Sequence, residues 1–183
     1  MTATTLDPRT ALVVIDLQKG IVGRETAHPV AGIVANSVAL AEAFRAKGLP
    51  VVLVHVVDGA PGRNETPMGG GRPPADWADI VPELGPRDGD IVVTKRTWGA
   101  FHGTDLDLRL RRGGITQVVL AGIATSIGVE STARSAYEHG YNVTIATDAV
   151  TDMDADAHRN SVEKIFPRLG ETDTTEAIVA LLG

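Results

Sequence analysis

Val118-Val-Leu-Ala-Gly-Ile-Ala-Thr-Ser-Ile-Gly-Val-Glu130 runs from an aliphatic stretch, through a glycine, into a segment with helical periodicity. Val118 to Ala121 is near-continuously apolar, the pattern of a strand covered on both faces. From Thr125 to His139 the apolar residues Val129, Ala133 and Ala136 share one face, and the pattern closes at Gly140. A buried strand turning tightly into a helix is the repeating unit of a parallel sheet.

The same grammar extends in both directions. Leu12 to Asp16, Val51 to Val57, Ile91 to Lys95 and Val143 to Ala146 read as further buried strands, with a weaker sixth near Arg168 to Glu171. Helical patterns lie between them, over Ala31 to Lys47, Asp105 to Arg112, Asp154 to Phe166 and Thr174 to Leu182. This alternation predicts an α/β fold of three layers, Rossmann-like, with a mostly parallel, six-stranded sheet. Over 183 residues it predicts one domain spanning 1–183. The stretch from Asp58 to Trp77 has no pattern of its own and includes Pro67-Met-Gly-Gly-Gly-Arg-Pro-Pro74. A loop of that length is expected to serve as a lid or recognition loop, or as a surface or subunit-contact loop.

Composition narrows the class. A net charge of −6 argues against non-specific nucleic-acid binding, and no apolar run approaches the length of a membrane span. The first residues lack the charged and apolar regions of a signal peptide, so a cytoplasmic protein is expected. The count of zero cysteines excludes disulfides, zinc ribbons and thiol chemistry.

Ligands of such sheets bind at the carboxyl ends of the strands, near the point where strand order reverses. That rule selects Asp16 after the first strand, His55 and Asp58 at the second, Lys95 at the third, and the Gly122 to Gly128 turn. A carboxylate and an ammonium at the ends of neighbouring strands would shift each other's pKa in a partly desolvated cleft; each alone also serves as a cap or surface charge. The turn presents backbone N–H groups of a helix start, suited to an anion or a developing oxyanion. Gly128 stands where a helix disfavours glycine, which leaves two readings: room for a ligand, or close helix–strand packing. Trp98, Phe101 and Trp77 either wall an apolar pocket or fill the core. His28, His55, His102, His139 and His158 form no ligand-spaced cluster, and Asp152 to Asp156 reads as a helix cap, so no metal and no cofactor are expected.

Asp16-Leu-Gln18, Lys95 with Trp98-Gly-Ala-Phe101, and Gly122 through Arg134, continued by Gly140-Tyr141 and Asp148 to Asp152, together resemble the isochorismatase-like hydrolase superfamily, also called cysteine hydrolases. The resemblance implies a catalytic group of Asp16, Lys95 and the position held by Gly128, where the family's nucleophilic cysteine would stand. It implies a cis peptide between Ile123 and Ala124, with Ile123, Ala124 and Thr125 supplying backbone donors. Gln18, His55, Asp58, Trp98 and Phe101 are then expected around a small-molecule substrate. Relatives commonly form homodimers or larger homo-oligomers, and the same is expected here.

Without a thiol at 128, acyl transfer from that position is ruled out. Ser126 and Thr125 are hydroxyls of a first helical turn, where capping is their ordinary role. The resemblance offers a second chemistry, that of the isochorismatases, in which an aspartate protonates a vinyl ether and water completes the cleavage. A metal-independent, acid-assisted hydrolase is therefore expected, although the glutamine expected beyond the second strand is replaced by His55-Val-Val-Asp58. Two alternatives stand beside it: an inactive member that binds small molecules or assembles, and an amidohydrolase disabled at Gly128.

Overall fold

The computed structural model describes residues 2–65 and 73–183. Among the described residues, six strands form one sheet: β1 (Thr10–Ile15), β2 (Val51–Val56), β3 (Ile91–Lys95), β4 (Gln117–Ile123), β5 (Asn142–Thr151) and β6 (Glu171–Asp173). Their order is β3-β2-β1-β4-β5-β6, and every pairing is parallel. Sequence order runs one way from β1 through β2 to β3 and the other way from β4 onward. The reversal falls between β1 and β4, which open a crevice at their carboxyl ends.

The principal helices are α1 (Lys19–Val22), α2 (Val30–Ala46), α3 (Leu106–Arg112), α4 (Glu130–Glu138), α5 (Ala155–Asn160), α6 (Phe166–Leu169) and α7 (Thr175–Leu181). Alternation along each strand divides the core. Val13, Ile15, Val54, Val93 and Leu120 meet α3, α4 and Phe166 on one face. Leu12, Val14, Leu53, Val119 and Ala121 meet α2 and Ile178 of α7 on the other. The fold is the expected three-layer α/β/α arrangement, with all of its strand pairs parallel rather than most.

Several boundaries differ from expectation for local reasons. The fifth strand continues to Thr151, past Ala146, because its pairing with β4 shifts register between Leu120 and Gly122 and resumes at Val150 and Thr151. The last strand begins at Glu171, since Phe166–Leu169 is helical with Pro167 in its first turn, where a missing N–H costs no bond. The helix expected over Asp154 to Phe166 is interrupted by a π-helical turn at Ser161–Ile165.

Of the loop expected at 58–77, residues 66–72 lie outside the described residues. Its return limb packs along the chain leaving β1. Gln18 and Ile80 form an antiparallel bridge, the Gly20 amide donates to the Trp77 carbonyl, and Val81 donates to Leu17. Among the described residues no helix is long and apolar enough to cross a membrane.

Candidate active site

β1 delivers Asp16 one residue beyond its last ladder position. Asp16 has φ +52, a left-handed conformation that few side chains tolerate and that Asp and Asn adopt more readily than most. Its amide still donates to Val54 of β2, so the strand is anchored while the carboxyl turns across the sheet edge. β4 makes the neighbouring bend. Gly122 has φ +121, and a Cβ there would lie 2.0 Å from the carbonyl oxygen of Ile15, so only glycine permits the two strands to pass this closely. The cis peptide expected at Ile123–Ala124 follows immediately.

Lys95 comes from β3, and one expectation is corrected here. The strands carrying Asp16 and Lys95 are not neighbours, because β2 lies between them. Two strand spacings put β1 and β3 about 10 Å apart. The lysine stem bridges that gap, and Nζ meets Asp16 Oδ2 at 2.7 Å. Nζ also donates to the Trp98 carbonyl at 2.5 Å. Both side chains are nearly lost to solvent, with Asp16 6% and Lys95 2% exposed. Burial pushes the Asp16 carboxyl up from 3.8 to about 6, against the opposing pull of Lys95 and a smaller one from His55. Its second oxygen, Oδ1, is buried and has no hydrogen-bond partner among the described residues.

Gly128 completes the cluster. Thr125–Val129 is a π-helical turn, in which the Val129 amide reaches back five residues to the Ala124 carbonyl. This wide turn brings Gly128 against the acid–base pair. A Cβ on it would stand 3.3 Å from Asp16 Oδ2, 3.3 Å from Lys95 Nζ and 3.0 Å from Ile15 Cγ2. The position of the absent side chain thus faces both charged groups. Ala124 and Thr125 precede the first carbonyls of the helix, so their amides have no intrahelical acceptor. The Ser126 amide and hydroxyl are both bound to Asp152, which fixes Ser126 as a capped residue. Thr125 Oγ1 is paired with His158 Nδ1.

The surrounding residues expected to line a pocket are dispersed. Gln18 is fully buried, donating to the Val56 carbonyl and accepting from its amide, so it splices the chain leaving β1 to β2. Phe101 is a core residue, its ring packed near those of His139 and Tyr141. Asp58 is exposed and accepts from the neighbouring Gly59 amide. His55 lies on the sheet face opposite Val54 and Val56, bound to the Ala78 carbonyl and the Thr94 hydroxyl. Trp98 combines proximity with accessibility: its carbonyl holds Lys95, and the residue is 64% exposed. Trp77 lies directly over Gly20 on the return limb of the loop.

Sequence reasoning placed Asp152 in a helix cap and a family motif without its bond to the Ser126 turn, and gave Thr132 no role of its own; both are buried and bound to the turn. Asp152 follows an apolar strand as Asp16 does, and that was the available signal. Thr132 carried none, since a threonine inside a helix is unremarkable. Among the described residues no three His, Cys, Asp or Glu side chains gather to hold a metal.

An acid and an ammonium converging on a strand-to-helix turn at the sheet's switch point is a hydrolase-like arrangement, and comparison with known proteins settles the family. The isochorismatase domain family matches residues 10–177. This chain belongs to that family. It is 50% identical over 175 residues to YwoC of Bacillus subtilis (strain 168), an uncharacterized isochorismatase family protein, covering 92% of this chain and 91% of the relative. It superposes on an isochorismatase family protein from Burkholderia thailandensis with a TM-score of 0.93 at 46% identity, over 97% of each chain. More distantly it is similar to the N-carbamoylsarcosine amidase of an Arthrobacter species, 26% identical over 190 residues, covering 95% of this chain and 71% of that one. The chain is accordingly an isochorismatase-family hydrolase.

Proposed function

We propose that this hydrolase cleaves a small vinyl ether, isochorismate or a related compound, by protonation from Asp16 and addition of water, without a covalent intermediate and without a metal. The carrying observation is Gly128: the position facing both Asp16 and Lys95 has no side chain to attack a carbonyl. The state of Asp16 supports the same reading. Lys95 occupies Oδ2, while Oδ1 is buried and unpaired among the described residues, so a proton held on Oδ1 is available to a substrate. A carboxyl near 6 remains protonated in a useful fraction close to neutrality.

In the proposed sequence, the Oδ1 proton moves to the terminal enol-ether carbon, whose π electrons form the new C–H bond. The resulting oxocarbenium accepts water, which returns one proton to the Asp16 carboxylate. The hemiketal then collapses: its C–O bond to the leaving group breaks, and the hydroxyl proton passes to the departing oxygen, giving the alcohol and a ketone. Lys95 holds the carboxyl in orientation and balances its charge after proton transfer. Donors at Ala124 and Thr125 suit a carboxylate or oxyanion on the substrate.

The similarity to an amidase keeps a second reading in view, an amidohydrolase disabled at Gly128. A screen of isochorismate, carboxamides and N-carbamoyl compounds with the wild type and Asp16→Asn separates the two. Turnover of the vinyl ether, lost in Asp16→Asn, supports the proposal. Turnover of amides alone, or of nothing until Gly128→Cys restores amide hydrolysis, overturns it.

A further inference from the structure

The geometry points to Thr132 as a positioning residue for the candidate active site, its hydroxyl setting the spacing between the loop that holds Lys95 and the turn that carries Gly128. The inference rests on the roles proposed for Asp16 and Lys95. Thr132 lies in the first turn of α4 and is fully buried. Its Oγ1 donates to the Gly128 carbonyl at 2.7 Å and accepts from the Ala100 amide at 3.1 Å. A bond from a helical threonine to the carbonyl four residues back is common and local. The bond from Ala100 is not local, because it crosses 32 residues of sequence.

That second bond joins two segments of the site. Ala100 is two residues beyond Trp98, whose carbonyl receives the Lys95 ammonium. A continuous path therefore runs from Lys95, through the Trp98–Ala100 backbone and the Thr132 hydroxyl, to Gly128, which faces Lys95 again. The loop is also flush with α4, since a Cβ on Gly99 would lie 3.4 Å from Ser131. The position requires a short side chain that donates once and accepts once, and only a hydroxyl meets that requirement. Threonine adds a branched Cβ that restricts its rotamer. Loosening this clamp frees the loop, admits water beside Asp16 and weakens the burial that holds its carboxyl high.

The test is a pH titration of the Asp16 side-chain carboxyl by carbon-13 NMR in the full, substrate-free chain, for wild type, Thr132→Ser and Thr132→Val. Thr132→Ser keeps both hydrogen bonds and should titrate within about 0.2 of wild type, whereas Thr132→Val should titrate lower by at least about 0.5. Equal titration of all three, or a shift in Thr132→Ser as large as in Thr132→Val, overturns the inference. If Thr132→Val fails to fold, Thr132→Ala is read by the same criterion. A wild-type carboxyl titrating near the ordinary value would count against Asp16 as the acid; Thr132 is then decided by hydrogen exchange of the Ala100 amide, which should be faster in Thr132→Val than in wild type and Thr132→Ser, equal exchange in all three overturning the inference.

Discussion

At the scale of single residues, Asp16 combines three features that oppose stability: a left-handed backbone, burial, and one oxygen without a partner among the described residues. Lys95 offsets part of this, but burial dominates and the carboxyl stays near 6. The folded protein therefore binds this proton more tightly than the unfolded chain does, and its stability falls as pH rises between about 4 and 6. Asp16→Asn removes the titration while keeping a residue that accepts the left-handed conformation. Relative to wild type, the variant should gain roughly 2 kcal/mol between pH 4 and 7, read from urea unfolding at both pH values. Turnover should be abolished in it. Lys95→Met should move the carboxyl in the other direction. It removes the two largest pulls that lower it, so titration of Asp16 should rise by at least about one unit. An unchanged value would mean that Lys95 does not govern the acid.

At the scale of elements, the β4–turn–α4 unit places the chemistry. Gly122 and Gly128 look alike in sequence and do different work. Gly122 is required by backbone contact, and Gly122→Ala should cost at least about 3 kcal/mol in denaturant unfolding, since the methyl would collide with Ile15 backbone at a strained φ. Gly128 meets side-chain atoms rather than backbone, Ile15 Cγ2 at 3.0 Å and Asp16 Oδ2 and Lys95 Nζ at 3.3 Å, at an ordinary helical φ. Gly128→Ala should therefore cost only about 1–2 kcal/mol by the same measurement. Gly128→Cys should not by itself create amidase activity. The strand–turn–helix unit was legible because an aliphatic run, a glycine and a helical period are local signals. The wide π turn and the 2.7 Å Lys95–Asp16 contact were not, because they depend on how the turn seats against β1 and on a lysine reaching past β2.

At the scale of the molecule, the strand order explains why residues 16, 95 and 128 meet at one point. The reversal between β1 and β4 opens the crevice, and β2 and β3 on one side contribute the lysine. Periodicity revealed the layers and their alternation, and placed the polar residues on one rim. It could not say which of these turned inward. Gln18 and Phe101 stand beside the family's motifs, yet one is spent on the backbone of β2 and the other on the core. The distinction between rim and core is made by side-chain direction, which a sequence read strand by strand leaves open at the strand ends.

Turnover of isochorismate in deuterium oxide follows the proton that Asp16 gives up. Transfer to carbon places one deuterium in the methyl group of the pyruvate released, with wild type active and Asp16→Asn inactive. Pyruvate released without that deuterium, or turnover retained by Asp16→Asn, would contradict the account.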